Sequence, residues 1–307
     1  MTIAPDQTAD QVPTKCGFVA LIGAPNAGKS TLLNQLVGSK ISIVTHKVQT
    51  TRARIRAIAL EGSAQIIFVD TPGIFAPKRK LDQEMVLAAW AGAAEADATV
   101  LLIDARDGLN EENTAIIEGL EKTGAKAILA INKIDTVKSE SLLTLAAQLN
   151  ERFKFTDTFM ISALKGHGVA DLRTTLAQQM QDGPWLYPED QIADLSMRLL
   201  AAEITREKLY LRLHDELPYA STVETETWTE KKDGSVRIEQ VIFVERDSQK
   251  KIVLGKAGQT IKAIGKQARE DIATALGQPV HLFLFVKVRD NWANDPERLR
   301  MMGLDPK

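Results

Sequence analysis

The sequence predicts an α/β fold in which a mixed, mostly parallel sheet is followed by a smaller α+β module. Up to about residue 180, apolar runs of strand length alternate with helical segments, as is typical of a parallel sheet with crossover helices. A segment rich in helix breakers and aromatic residues, 182–190, then interrupts the pattern. After it, the order changes to a helix, a hairpin, further helices and a last strand.

These patterns also predict the domain boundaries. Residues 1–14 hold acids and prolines without an apolar core, so we expect a flexible tail and no signal peptide. The first domain is predicted at 15–182 and the second at 196–290. A linker at 183–195 would join them, and residues 291–307 would form a second tail.

Composition narrows the class of protein. The 307 residues carry a net charge of -2, so any basic surface for nucleic acid must be local. The single cysteine, Cys16, excludes an internal disulfide and is typical of a reducing cytoplasm. The longest weakly polar stretch, 85–103, is interrupted by Glu95 and Asp97, and no segment is predicted to span a bilayer.

A phosphate-binding loop is the strongest motif. It has the pattern G-x-x-x-x-G-K-[ST] and lies between a strand-like run, 18–22, and a helical segment, 31–36. Its glycines allow backbone N–H groups to face a polyphosphate, Lys29 would reach the β- and γ-phosphates, and Ser30 would bind Mg²⁺. The alternative is a glycine-bearing turn without a ligand. The residues expected at the phosphates are Gly23, Ala24, Pro25, Asn26, Ala27, Gly28, Lys29, Ser30 and Thr31.

A second motif, D-x-x-G, comes at the end of a predicted hairpin. Its strands are Ile55–Leu60 and Gln65–Val69, and the motif is Asp70, Thr71, Pro72 and Gly73. Asp70 would hold Mg²⁺ through water, and the N–H of Gly73 would sense a γ-phosphate. The polar stretch 40–52 before the hairpin is predicted to be a loop that covers the phosphates.

A third motif predicts the base. Asn132, Lys133 and Asp135 follow the strand-like run Ala127–Ile131. The Asp135 carboxylate can accept hydrogen bonds from guanine N1–H and the 2-amino group, and adenine offers neither donor. Asn132 would brace the neighbouring loop, and the Lys133 stem would cover the purine. Ser162 and Ala163, after a further short strand, would contact guanine O6 through the backbone.

The order and spacing of these motifs resemble the small GTPase domains of the translation-factor type. In this resemblance Thr51, before Arg52, corresponds to the switch-one threonine, a ligand of the metal and the γ-phosphate, with Thr50 as the alternative. The resemblance implies GTP, GDP and Mg²⁺ as ligands and Lys29, Thr51 and Gly73 as catalytic residues. The expected metal ligands are Ser30, Thr51 and Asp70.

One position departs from the Ras-like pattern. Ile74 stands where those enzymes carry a glutamine that orients water, and an apolar side chain cannot take that role. Asn26 resembles the asparagine of potassium-activated members, in which K⁺ supplies the missing positive charge. We therefore expect slow intrinsic hydrolysis that is faster in K⁺ than in Na⁺.

The second half predicts an RNA-binding module. A helix from about Met197 precedes two hairpin strands, 221–229 and 236–245, then a G-x-x-G turn, a helix at 263–276 and an alternating strand from Val280. This order matches the second topology of the KH module, whose turn brings backbone against phosphates of about four nucleotides of single-stranded RNA.

Local charge supports this interpretation. Residues 246–289 hold nine basic and three acidic side chains on a chain whose net charge is -2. The alternative is an ordinary helix–helix turn beside a solvated lysine-rich face. The expected RNA contacts are Gly255, Lys256, Ala257, Gly258, Lys250, Lys251, Lys262 and Lys266.

A GTPase domain followed by a KH domain closely resembles the Era family of bacterial ribosome-assembly GTPases. The most specific segments are Gln49–Arg52, Glu216–Tyr219, Val244–Arg246 with Gln249–Lys251, and Val286–Val288 with Trp292. The resemblance implies binding near the 3′ end of 16S rRNA, small (30S) subunit assembly and GTP-dependent release. It also implies a cytoplasmic protein with partial contact with the inner membrane. We expect no DNA partner and a monomer.

Two other functions stay open at this stage. One is a GTPase of another RNA-maturation pathway, such as tRNA modification, which should share the first half and lack the KH pattern. The other is a nucleotide-gated binding protein with negligible turnover, which Ile74 favours. In the interpretation we prefer, switch loops containing Thr51 and Gly73 set how the KH domain lies against the GTPase domain.

Overall fold

A computed structural model describes residues 13–45, 47, 50–51, 55–77, 79–214, 217–290, 292 and 295. Most of both predicted tails lies outside the described residues. So do Gln49, Arg52 and Glu216, which carry part of the family resemblance.

The larger sheet is mixed and mostly parallel, as predicted. Its strands are β1 (Lys15–Gly23), β2 (Ile55–Glu61), β3 (Ala64–Asp70), β4 (Ala98–Asp104), β5 (Ile128–Asn132), β6 (Thr158–Met160), β7 (Gln181–Asp182) and β8 (Ala193–Asp194). The order is β6-β5-β4-β1-β3-β2-β8, with β7 paired to β1. Strand β2 runs antiparallel to β3, which confirms the hairpin, and β7 and β8 add two short antiparallel pairings.

Helices cover both faces of this sheet. They are α1 (Lys29–Val37), α2 (Lys80–Glu95), α3 (Glu111–Thr123), α4 (Ser139–Arg152) and α5 (Val169–Gln179). Alternate residues of β1 point to opposite faces, so Leu21 packs with α1 and α5 while Ile22 packs with α2, α3 and α4. Helix α3 begins where the Asn110 side chain accepts a hydrogen bond from Asn113 N, and it ends at Gly124.

Two features of this half were not predicted. Helix α4 follows the base motif and buries Leu142 and Leu149 on its inner face. The second unpredicted feature is that the segment after α5 packs against the sheet. The Gln65 side chain accepts hydrogen bonds from the N–H groups of Leu186 and Tyr187, and Trp185 Nε1 donates to Ser63 O.

The second sheet has three strands with helices on one face. The elements are α6 (Met197–Arg212), β9 (Ser221–Glu230), β10 (Val236–Val244), α7 (Asp247–Leu254), α8 (Gln259–Leu276) and β11 (Val280–Val288). Strand β10 lies between β9, antiparallel to it, and β11, parallel to it. Ile238 and Ile242 of β10 pack against the helices, together with Ile264 and Ile272 of α8.

Helix α8 begins four residues before its predicted start, directly after the G-x-x-G turn. Helix α7 begins at Asp247 because Gln249 Oε1 accepts a hydrogen bond from Arg246 N. Strand β11 alternates as predicted, except that Val288 is exposed. Among the residues described, no helix has the length and apolar character needed to cross a membrane.

Candidate functional site

A cavity of about 440 Å³ opens at the carboxyl ends of the parallel strands β1 and β5. The sequence-predicted residues that line it are Pro25, Asn26, Gly28, Lys29, Ser30, Thr31, Thr50, Thr51, Gly73, Asn132, Lys133, Asp135, Ser162 and Ala163. The three motifs of the first half therefore meet at one site, where ligands bind in folds of this kind.

The loop between β1 and α1 has the backbone geometry of an anion cradle. Gly28, the residue before α1, has φ 100°, and a Cβ at this position would lie 2.2 Å from Asn132 Nδ2. Asn26 is also left-handed, with φ 62°. These conformations turn backbone N–H groups toward the cavity at a helix N-terminus, where the helix dipole favours negative charge.

Lys29 is buried beside this loop. Its ammonium donates hydrogen bonds to the carbonyls of Gly23 and Ala24, each at 2.9 Å. Burial lowers the pKa of Lys29 to about 8, against the attraction of Asp70. The partners of Lys29 are neutral carbonyls. A phosphate bound in the loop would therefore give this buried ammonium a charged partner, which strengthens the hydrogen bond.

Three hydroxyl groups surround Asp70 at the end of β3. Ser30 Oγ, Thr51 Oγ1 and Ser42 Oγ lie 3.1, 3.2 and 2.7 Å from Asp70 Oδ2. Asp70 is fully buried, and burial raises its pKa against these hydrogen bonds. Its second oxygen, Oδ1, is buried without a hydrogen-bond partner among the described residues.

This donor set fits a magnesium ion. Mg²⁺ prefers oxygen ligands and is held at nucleotide sites by one or two protein groups, water and phosphate oxygens. Hydroxyl oxygens of Ser30 and Thr51 beside one carboxylate provide such a set, and a hydrated cation would satisfy the orphaned Asp70 Oδ1.

The segment after Asp70 lies against the phosphate loop. The N–H of Ile74 donates to the carbonyl of Gly23 at 3.1 Å. The Ile74 side chain is buried with Ala24 in the core, away from solvent, so it leaves no polar group for a water molecule. The Thr71 hydroxyl donates to Leu21 O, inside the sheet.

Some predicted site residues support the cavity without lining it. The side chains of Ala24, Ala27 and Thr71 are buried, and Gly23 contributes the carbonyl that Lys29 and Ile74 share. Six predicted residues are absent from the lining: Gly23, Ala24, Ala27, Asp70, Thr71 and Pro72.

The far end of the cavity holds the base motif. Asn132 Nδ2 donates to Ala27 O, and Asn132 Oδ1 accepts from Ala163 N, so this residue joins the phosphate loop to the loop after β6. The Ser162 hydroxyl donates to Asp135 Oδ1 at 2.7 Å. This hydrogen bond lowers the pKa of Asp135, which keeps its carboxylate ionised as an acceptor.

Sequence reasoning missed the support of Lys133. Its ammonium bonds to Asn26 O and to Asp104 Oδ2, each within 2.7 Å. Asp104 is buried at the carboxyl end of β4 and also pairs with Arg106, which lines the cavity. The sequence did contain a signal for this role. Asp104 ends a predicted strand, and in the sheet this strand lies between the two strands that carry the phosphate loop and the base motif.

Ser42 is a second residue that sequence reasoning missed. It lies in the loop after α1, where Asn34 Oδ1 accepts from the N–H groups of Ile41 and Ser42 and fixes the chain beside Asp70. Cavity-lining residues that were not singled out are Ile43, Val44, Thr45, Lys47, Arg106, Thr136 and Leu164. The loop 40–51, where described, thus covers the cavity as predicted.

The G-x-x-G turn joins α7 to α8 in an open conformation. Gly255 (φ 73°), Ala257 (φ 50°) and Gly258 (φ 75°) all have positive φ, and Ala257 and Gly258 are left-handed helical. A Cβ at Gly255 would lie 2.1 Å from Thr260 Oγ1, whereas one at Gly258 would face open space except for Lys262. The turn therefore has no Cβ at its two ends, and open space lies beside Gly258.

The predicted lysines surround this turn. Lys256 is exposed in the turn itself, Lys251 is exposed near the end of α7, and Lys262 and Lys266 are exposed one turn apart on α8. Lys250 is half-buried. Four exposed cations beside an open backbone turn form a surface suited to a phosphate chain.

Comparison with known proteins identifies the family. A family model described as a 50S ribosome-binding GTPase matches residues 18–133, and one described as a KH domain matches residues 216–293. The GTPase Era of Brucella suis biovar 1 (strain 1330) is 65% identical over 292 residues, which cover 95% of this chain and 94% of that protein. The chain belongs to the Era GTPase family.

Other members give the same result. The GTPase Era of Afipia carboxidovorans is 66% identical and covers 95% of each chain. A crystal structure of a variant of Aquifex aeolicus Era bound to GDP·AlF₄⁻ superposes with a TM-score of 0.90 at 38% identity, covering 95% of this chain and 100% of that one. A structure of Era with MgGDPNP and nucleotides 1506–1542 of 16S ribosomal RNA matches to the same extent.

Proposed function

We propose that this protein is a GTP-hydrolysing, RNA-binding protein that acts in assembly of the small (30S) ribosomal subunit. It would bind near the 3′ end of 16S rRNA through its KH domain. One observation carries the proposal: the Era structure with MgGDPNP and nucleotides 1506–1542 of 16S rRNA matches 95% of this chain at a TM-score of 0.90. The model named for the 50S subunit matches 18–133 only, so it describes the GTPase domain and not the RNA partner.

The nucleotide would occupy the cavity from the phosphate loop to the base motif. Lys29 and the backbone of 23–31 would bind the phosphates, and Asp135 would accept hydrogen bonds from guanine. Lys133, held by Asp104, would cover the purine. The Asp135 carboxylate is supported by Ser162 and would be left unpaired by adenine, which is the basis of guanine specificity.

Ser30, Thr51 and Asp70 would hold Mg²⁺, with Asp70 acting through water. The ion supplies charge neutralisation of the β- and γ-phosphates when bound. The protein's own contribution is to hold these oxygens together: Thr51 reaches Ser30 and Asp70, while Ser42 orients the carboxylate. Gly73 would sense the γ-phosphate through its N–H, next to the Ile74–Gly23 hydrogen bond.

Because Ile74 is buried, the attacking water must be oriented by another group. Separately, K⁺ at Asn26 would supply the positive charge that Ras-like enzymes take from elsewhere, and this role stays a prediction. Equal hydrolysis rates in matched K⁺ and Na⁺ buffers would exclude it.

RNA would bind at the turn 255–258, with phosphates near its backbone and near Lys251, Lys256, Lys262 and Lys266. The predicted domain boundaries, with a linker at 183–195, are part of this proposal. We also propose a cytoplasmic location and a monomer without a DNA partner. Contact with the inner membrane stays a prediction.

The RNA site is tested by a glycine pair. Gly258→Asp adds a carboxylate at the turn, and Gly234→Asp adds the same group at an equivalent φ (77° against 75°) in the β9–β10 hairpin. The probe is RNA of the 16S nucleotides 1506–1542 with the full chain, a non-hydrolysable GTP analogue and Mg²⁺. We expect Gly258→Asp to weaken binding about tenfold or more, through repulsion of phosphate, and Gly234→Asp to bind as the wild type does.

RNA binding that is weakened equally by both variants, or weakened by neither, would refute RNA binding at this turn.

Turnover is tested separately, because a nucleotide-gated binder without hydrolysis would bind GTP and RNA and release no phosphate. Phosphate release by the wild-type protein that increases with added small subunits supports the proposed function.

A further inference from the structure

The loop 40–51, where described, lies along helix α6 of the second domain. Glu207 Oε1 accepts a hydrogen bond from Val44 N at 3.0 Å, and Lys47 Nζ donates to Leu213 O at 2.5 Å. At the end of the loop, Arg206 Nη2 donates to the carbonyl of Thr50. Lys40, at the start of the loop, also pairs with Glu207 and Asp271. A cavity-covering loop of the GTPase domain is thus attached at several points to the domain that carries the RNA-binding turn.

Arg206 is held firmly in place. It is 1% exposed, its guanidinium pairs with Glu203 on the same helix, and it stacks on the Tyr210 ring at 5.1 Å from the ring centre. Nη1 is buried without a hydrogen-bond partner among the described residues. Nε and Nη2 bind the Glu203 carboxylate as a planar fork, which fixes the direction of the second N–H of Nη2. In this case that N–H points at Thr50 O.

The contact lies one residue from the candidate metal site. Thr51 Oγ1 is 2.9 Å from Ser30 Oγ and 3.2 Å from Asp70 Oδ2. Consecutive Cα atoms are about 3.8 Å apart, so a fixed carbonyl at Thr50 restricts where the Thr51 hydroxyl lies. Residues 50–51 belong to no helix or strand. Their position at the cavity therefore depends on individual contacts such as the one from Arg206.

We propose that Arg206 is a positioning residue for GTP hydrolysis, which holds Thr51 at the metal site by binding the carbonyl of Thr50. The inference rests on the proposed function. Arg206 lies behind the loop and does not line the cavity, so it touches no reacting group. Its effect requires that α6 stays in place, which makes hydrolysis depend on the position of the second domain.

The test measures GTP hydrolysis by the full chain with Arg206→Lys, Arg206→Met and, as a matched control, Arg198→Met. Arg198 is on the same helix and donates to a backbone carbonyl, Glu226 O, within its own domain. A lysine can keep the charge near Glu203, but one ammonium cannot serve Glu203 and Thr50 together as the fork does.

For both Arg206 variants we expect kcat to fall about 10-fold to 100-fold, because a small displacement of Thr51 would disturb the geometry of the reacting groups. The Mg²⁺ concentration that gives half-maximal hydrolysis should rise, since Thr51 is a metal ligand in the proposal. The Kd for GDP should stay within about twofold of the wild type, and Arg198→Met should keep its kcat.

Several results would overturn the inference. One is a wild-type kcat in folded Arg206→Lys. Another is a loss of GDP affinity in parallel with kcat, which would indicate a structural role only. If Arg206→Met does not fold, the kcat of Arg206→Lys alone tests the inference. A wild-type protein that releases no phosphate would instead refute the proposed function, so the two failures are distinguishable.

Discussion

The hydroxyl oxygens of Ser30 and Thr51 lie 2.9 Å apart, and both contact the same carboxylate oxygen of Asp70. These residues come from the start of helix α1, from the loop before β2 and from the end of β3. The candidate metal site is therefore assembled by three separate segments, and one of them is attached to the second domain through Thr50 and Arg206.

Removing the hydroxyl group of Ser30 tests the metal site. For Ser30→Ala we expect GTP hydrolysis at limiting Mg²⁺ to fall about 100-fold, because the variant would lose one of the proposed oxygen ligands of the ion. The measurement is the hydrolysis rate over a Mg²⁺ titration. Ser141→Ala removes an exposed hydroxyl that bonds only to Lys138 O among the described residues and is the control. Identical titrations for wild type and Ser30→Ala would exclude Ser30 as a ligand.

Changing Asp135 to asparagine tests the base specificity. Asn keeps one acceptor and gains an amide donor, so Asp135→Asn should lose the hydrogen bond from the guanine 2-amino group and accept xanthine, whose O2 replaces that group. We expect GTP affinity to fall about 100-fold or more, and XTP affinity to rise. Asp190→Asn, an exposed carboxyl outside the cavity, is the control. Unchanged GTP binding in Asp135→Asn would refute the base assignment.

The low pKa of Asp104 predicts how the free energy of unfolding changes with pH. Burial alone would raise the pKa of Asp104, but hydrogen bonds from Arg106 and Lys133 outweigh burial and lower the pKa to about 2. A depressed folded-state pKa stabilises the protein above the unfolded value of 3.8, and this stability is lost as the pH falls toward 2. The shift corresponds to about 2 kcal/mol.

Urea unfolding of Asp104→Asn at several pH values checks this prediction. The difference in unfolding free energy from the wild type should narrow as the pH falls from about 4 toward about 2, because the wild-type carboxylate becomes protonated. Asp107→Asn, at an exposed carboxyl in the same loop, controls for the change of charge. A difference for Asp104→Asn that is independent of pH would contradict the ion pairing.

Trp292 links the end of the second domain to the GTPase domain. It is 1% exposed, packs on Leu81 and Met85 of α2, and donates from Nε1 to Ala220 O. Trp292→Ala should lower the unfolding free energy by about 3–5 kcal/mol, as for large buried aromatic side chains. Trp185→Ala, at a half-buried tryptophan, should cost less. Equal losses in urea unfolding would contradict the burial of Trp292.

Local motifs made much of this molecule predictable. The phosphate loop, the Asp70 motif and the Asn132 motif each follow a buried strand, so the rule that parallel strands end at one edge predicts that they meet. The G-x-x-G turn was recognisable because its two glycines lie shortly before the helix predicted at 263–276. In both cases a short stretch of chain determines the geometry.

Features that depend on contacts distant in sequence were not predictable. Strands β7 and β8 have two residues each and carry no periodic signal, and they pair with β1 and β2, which are distant in sequence. Gln65 holds the segment between them to the sheet by binding the backbone at 186–187. Helix α4, in contrast, buries Leu142 and Leu149 on one face at helical spacing, and sequence reasoning overlooked it. Arg206 belongs to a run of charged residues, 206–208, and only the tertiary structure shows that it is buried and bonded to the loop before β2.

The central claim is that the nucleotide site and the RNA-binding domain are coupled through α6 and the loop that contains Thr50 and Thr51. The most direct measurement is the affinity of the full chain for RNA of nucleotides 1506–1542, loaded with a non-hydrolysable GTP analogue or with GDP. The account predicts tighter binding in the GTP-analogue state, by about 5-fold to 150-fold, which is the usual range of coupling between sites. Equal affinities in the two states would contradict it.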